Sequence, residues 1–112
     1  MFARHVTLQL KPEIAHEFPR LAGYLQKEIL PLLRRQKGFI EELFLIDPNQ
    51  TEAVAISLWE EKEHAEKFNR EVYPTVVKML NKYLAGAPVV KEFESLVADA
   101  TVLHKLANAV KV

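Results

Sequence analysis

The side chains with the most chemistry to offer in this sequence are four histidines, one tryptophan and three tyrosines. There is no cysteine, which removes thiol nucleophiles, disulfides, zinc–thiolate sites and iron–sulfur clusters. His5 shares the polar register of an N-terminal strand with Thr7 and Gln9. An imidazole with an ordinary pKa of about 6.5 is a ready general base. His64 opens the second helical stretch, one turn before Phe68, and is the other candidate for moving a proton. Trp59, beside Ser57 at the end of a strand, offers a flat wall for an aromatic ligand. Asn69 and Tyr73 lie one helical turn apart and can line the same pocket.

The candidate catalytic residues are therefore His5 and His64. The candidate ligand-binding residues are Thr7, Ser57, Trp59, Phe68, Asn69 and Tyr73. Each also has a plain structural reading: Trp59 as core, His5 as an interface histidine, His64 as a solvated helix start, and Tyr73 before Pro74 as a bend. His16 and His104 have no partner at metal-ligand spacing, and no metal site is expected. Glu41 and Glu42 are adjacent, so strand alternation sends them to opposite faces and they form no acid–base couple. Gly23, Gly38 and Gly86 are too far apart for a phosphate loop. Ser57 has neither a placed base nor an oxyanion hole in view. No cofactor is expected.

The chain's 112 residues suit one domain with its own core. Its 15 basic residues balance 15 acidic ones, which argues against nucleic acid as a partner, because phosphate binding needs a basic surplus. No stretch approaches the roughly 20 apolar residues of a membrane span. The N-terminus lacks the apolar core of a signal peptide. A cytoplasmic protein without membrane contact is the expectation, and lack of cysteine suits a reducing compartment.

Hydrophobic periodicity supplies the elements that must position these residues. Residues 2–10 alternate as a strand, with Phe2, Arg4, Val6, Leu8 and Leu10 on one face. Residues 13–36 carry a helical stripe of Ile14, Phe18, Leu21, Leu25, Ile29 and Leu32, with Pro19 and Pro31 expected to bend it. Residues 39–46 and 52–60 form a hairpin about the Asp47-Pro48-Asn49-Gln50 turn. Phe39, Leu43 and Leu45 are expected on one face of its first strand, and Ile40, Phe44 and Ile46 on the other. Residues 61–84 form a second helix split at Pro74, and residues 88–96 a fourth strand. The order β-α-β-β-α-β predicts an α+β, ferredoxin-like sandwich. In it, two helices cover one face of a four-stranded antiparallel sheet, with the first and third strands central. His5 and Thr7 are expected beside Ser57 and Trp59. The strands are apolar on both faces, so a second copy of the chain is the expected cover for the bare face. Residues 97–112 are an apolar extension, a short helix or a dimer arm.

Several local patterns coincide: Gly38-Phe39 after a basic helix end, Ser57-Leu58-Trp59-Glu60, and Glu63-His64-Ala65-Glu66-Lys67-Phe68. Tyr73-Pro74 and Pro88-Val89-Val90-Lys91-Glu92-Phe93-Glu94 follow. Over residues 1–96 the sequence resembles the antibiotic biosynthesis monooxygenase-like family of small dimeric α/β-barrel proteins. The resemblance implies a homodimer with a pocket between each sheet and its helices. It also implies a hydrophobic or aromatic small-molecule ligand, and an activity such as oxidation of a quinol or phenol without a bound cofactor. The known site patterns are not matched. The haem-degrading branch places a His where this chain has Asn69. The polyketide-oxidising branch places Asn and Tyr where it has Ala55 and Ala65. A non-catalytic binding or interaction dimer is therefore the alternative, and a haem protein a distant third.

Overall fold

The computed structural model describes residues 1–94. The expected C-terminal extension, residues 97–112, lies outside them, as do residues 95 and 96 of the expected fourth strand. Four strands, β1 (Phe2–Gln9), β2 (Phe39–Ile46), β3 (Glu52–Trp59) and β4 (Val89–Glu94), form one antiparallel sheet in the order β2-β3-β1-β4. The central pair is β1 and β3, as the β-α-β-β-α-β order predicts.

The first helical stretch is a composite. A 3-10 segment (Pro12–Glu17) leads into α1 (Phe18–Tyr24). A π turn (Leu25–Ile29) follows, and then α2 (Leu30–Arg34). Pro31 has no N–H to donate back along the helix, and the widened turn precedes it. The extra width shifts the helical phase. The buried positions run Leu21, Ile29 and Leu33, whereas Leu32, expected inside, is only partly buried. The second stretch is α3 (Lys62–Glu71) and α4 (Tyr73–Leu80), broken at Val72 before Pro74 as expected. It buries Ala65, Phe68, Val76 and Leu80.

All helices pack on one sheet face. That face carries Phe2, Arg4, Val6 and Leu8 from β1, and Ala53, Ala55, Ser57 and Trp59 from β3. The opposite face carries Ala3, His5 and Thr7, with Val54, Ile56 and Leu58 beside them. Its apolar side chains stay outside the core cluster, and Leu45, Val89 and Phe93 there are each more than half exposed.

The face assignment of β2 differs from the sequence expectation at one residue. A bulge between Phe39 and Glu41 inserts Ile40 without a partner. Phe39 therefore sits opposite Trp59, and Phe44 and Ile46 opposite Ala55 and Ala53, all on the helix side. The Phe39 and Trp59 rings meet edge to face at 5.6 Å. Before the bulge, Gly38 adopts φ of +81°, and a Cβ there would overlap the His64 imidazole. Only glycine meets both demands at no cost.

Candidate active site between sheet and helices

Strand pairing builds a polar row across an otherwise apolar face. Arg4 of β1 lies opposite Ser57 of β3, and Ser57 lies opposite Glu42 of β2. On the other side of Arg4, Glu92 of β4 completes the row. Arg4 is 2% exposed and Ser57 is 4% exposed, so both belong to the interior.

The second helical stretch closes over this row. The Arg4 guanidinium donates to Asn69 Oδ1 at 2.7 Å. It lies 4.5 Å from the Tyr73 ring centre and 5.1 Å from that of Phe68, within cation–π range. Two aromatic faces and one amide thus hold a cation that burial would otherwise penalise. Burial lowers the Arg4 pKa from its ordinary value, opposed by the fields of Tyr73, Glu92 and Glu42. An arginine starts so high that it stays charged.

Glu42 feels burial in the opposite sense. Its removal from water raises its pKa well above the usual carboxylate range, partly countered by Arg4 and reinforced by Glu41. Burial likewise raises the Tyr73 phenol, partly countered by Arg4. Three buried polar atoms of this cluster have no hydrogen-bond partner: Arg4 Nε, Glu42 Oε2 and the Tyr73 hydroxyl. The Arg4 guanidinium acts on the phenol both through its charge and through a side-chain contact, each opposing that rise. Unpartnered buried polar groups are costly and call for an explanation.

All three residues, with Ser57 and Phe68, line a small cavity of about 50 Å³. A larger cavity of about 490 Å³ adjoins it, between α1, the π turn and the β2–β3 hairpin. The two share Leu8, Glu42, Phe44, Leu80 and Leu84 as walls. The larger volume lies in the usual range for small-molecule pockets. Arg4, Glu42 and Tyr73 line the smaller cavity, and Glu42 lines both. That arrangement can receive an acidic hydroxyl, accept its proton and hold the resulting anion.

Of the sequence candidates, Ser57, Phe68 and Tyr73 line the inner cavity, and Asn69 anchors Arg4. Trp59 is fully buried and lines neither cavity. Its indole N–H donates to Ser57 Oγ at 2.9 Å, and its ring packs 5.1 Å from Phe68. It steadies the floor of the site from behind. His5 and Thr7 do not join Ser57 and Trp59 as expected. Residues of one strand alternate faces, and theirs is the face away from the helices. There the His5 ring meets Phe93 edge to face at 6.3 Å. His64 lines neither cavity; it abuts Gly38, with a buried Nδ1 that has no hydrogen-bond partner.

Sequence reasoning missed Arg4 and Glu42, the two charged members. The available signal was register. Arg4 falls among Phe2, Val6 and Leu8, and Glu42 falls in step with Phe44 and Ile46. A charge on the buried face of a strand needs a reason to be there. Glu41 and Glu42 do diverge to opposite faces, as alternation requires.

Among the described residues, no group of three or more His, Cys, Asp or Glu could hold a metal ion. Among them too, no helix is long and apolar enough to cross a membrane.

No family model matches the sequence, and neither does any curated protein. Solved structures do match the fold. A protein of unknown function from Nitrosomonas europaea superposes with a TM-score of 0.69 at 16% identity, covering 88% of this chain and 91% of that one. A monooxygenase from Streptomyces coelicolor, solved with the ligand nanaomycin D, has a TM-score of 0.63 at 18% identity, with 88% and 89% covered. An antibiotic biosynthesis monooxygenase matches with a TM-score of 0.66 at 15% identity, covering 87% of this chain and all of that one. The chain thus has the ferredoxin-like α+β fold of the antibiotic biosynthesis monooxygenases.

Proposed function

We propose that the chain is a cytoplasmic homodimer that binds a hydrophobic aromatic molecule through a ring hydroxyl. We further propose that it oxidises a quinol of this kind with dioxygen, using no bound metal or flavin. The carrying observation is that Arg4, Glu42 and Tyr73, all with polar atoms sealed from solvent, line one small cavity that shares walls with a larger apolar one. The uncovered apolar sheet face supports the dimer. The fold likeness supports the placement of a pocket between sheet and helices, and no more than that.

In this reading Glu42 takes the first proton from the quinol hydroxyl. A carboxyl whose pKa burial raises is a stronger base, once ionised, than an ordinary one. Arg4 holds the phenolate, and Phe68 and Tyr73 flank it. The electron-rich anion passes two electrons to dioxygen. The quinol loses two protons and two electrons, leaving as quinone, and dioxygen gains both as hydrogen peroxide. The histidines named from the sequence are not needed for this route.

Oxygen uptake with a panel of hydroquinones tests the proposal. The expected result is uptake above the buffer rate, matched by peroxide, and reduced about a hundredfold or more in Glu42→Gln, the usual scale for a general base. Binding without turnover would leave a non-catalytic ligand-binding dimer. Neither binding nor turnover would sink the reading altogether.

A further inference from the structure

The smaller cavity is lined by a charge that its surroundings do not neutralise. Arg4 is 2% exposed, and among the described residues no carboxylate lies within ion-pair distance of it; the ion pairs there, Arg20–Glu17 and Lys62–Glu66, are on the surface. Asn69 and the rings of Phe68 and Tyr73 hold the guanidinium, but none of them brings a negative charge. Among the described residues lining this cavity Glu42 is the only acid, and burial favours its neutral form. The remaining polar groups are left with protons to give. Ser57 Oγ accepts from the Trp59 indole, which leaves its own O–H free to donate. Arg4 can only donate, so its contact with Tyr73 leaves the phenolic proton free as well. Arg4 Nε is sealed from solvent and donates to nothing among the described residues. At about 50 Å³ the cavity exceeds the ~10–15 Å³ that one water needs, so it admits a group of a few atoms. A water there would accept hydrogen bonds but offset no charge, and an unpaired buried charge is costly.

We propose that the smaller cavity is a carboxylate site, in which Arg4, Ser57 and Tyr73 donate to a singly charged organic anion that serves as the counter-ion of Arg4. The site goes beyond the quinol reading: it shares Arg4 and Tyr73 with that reading but needs neither a ring hydroxyl nor dioxygen. A carboxylate and a phenolate would compete for it. A small free acid and the acid end of a larger apolar ligand share this chemistry. Only the second gains from the apolar cavity on the other side of Glu42 and Phe44.

The test is a titration of the full chain with sodium formate at constant ionic strength. It is read by the indole N–H resonance of Trp59, the only tryptophan and the donor to Ser57. Saturable movement of that resonance is expected with formate and none with formamide, its neutral counterpart. Arg4→Gln should weaken formate about tenfold or more, the scale of a charge-assisted hydrogen bond. Tyr73→Phe, which removes one donor and no charge, should weaken it about threefold or more and carries the test if Arg4→Gln does not fold. Glu42→Gln should bind formate as the parent does. Binding in Glu42→Gln alone would show that an ionised Glu42 already serves Arg4, and would overturn the proposal. So would formate and formamide acting alike, or no saturable change with either. Hexanoate binding about tenfold or more tightly than formate would support the site as the seat of an apolar acid, and equal affinities would support it as a site for small free acids. Phenols binding where formate does not would overturn this inference alone. Formate binding where no phenol binds would sink the quinol reading and leave the carboxylate site standing.

Discussion

Glu42 ties the stability of this fold to pH in a direction opposite to most carboxylates. Its folded pKa is raised, chiefly by burial, so the folded chain keeps a proton that the unfolded chain has released. In that interval the folded state binds more protons, and stability falls as pH rises. The interval opens near the ordinary glutamate value of about 4.3 and runs upward to the raised value of the folded site. Inside it one proton is linked to unfolding, so stability drops by about 1.4 kcal/mol per pH unit. For a domain near this size that is roughly 5 °C of melting temperature per unit. Glu42→Gln keeps the shape, fixes the group as neutral and removes the linkage. Urea unfolding of both proteins from about pH 4 to about pH 8 isolates the effect, because every other titrating group is common to both. The variant should gain on the parent by that slope through the interval and run parallel to it at the acid end. A difference independent of pH would refute the burial argument. A parent that gains on the variant as pH rises would show that the Arg4 field outweighs desolvation.

Gly38→Ala should cost about 2 kcal/mol or more, from the left-handed backbone and the collision with His64, and lower the melting temperature by roughly 10 °C. Adding His64→Ala should return only the collision part, which a double-mutant cycle reads directly. If the proposed dimer forms through the uncovered sheet face, Phe93→Asp, at a half-exposed position there, should leave the fold intact and yield monomer in sedimentation velocity. An unchanged dimer would place the interface elsewhere.

The architecture was legible because each element announces itself locally. Alternation marked the four strands, Asp47-Pro48-Asn49-Gln50 marked the hairpin, and Pro74 marked the break between α3 and α4. The site was half legible. Asn69 and Tyr73 lie one helical turn apart, and spacing finds such neighbours. Arg4 and Glu42 come from strands separated by β3, and only the pairing register shows that they share a row. The side chains of β1 that advertise chemistry by type, His5 and Thr7, lie in its polar register. The decisive charge sat in the apolar one. Leu33 replaced Leu32 in the core for a similar reason, since a π turn changes phase without changing composition.

The unpaired Ile40 works as a slip joint. Downstream of it, the register of β2 is set by the hairpin, where the Asp47 carboxylate accepts from the Thr51 and Glu52 backbone N–H groups. Upstream, Phe39 and Gly38 are fixed by Trp59 and His64. A residue gained or lost in the Gln36–Gly38 connection can be absorbed at the bulge before it reaches Glu42. Homologous chains can therefore differ in length at this corner and still present a carboxyl opposite Ser57. A shift in the hairpin has no such buffer. There, one residue would turn Glu42 outward and bring Glu41 or Leu43 into its place.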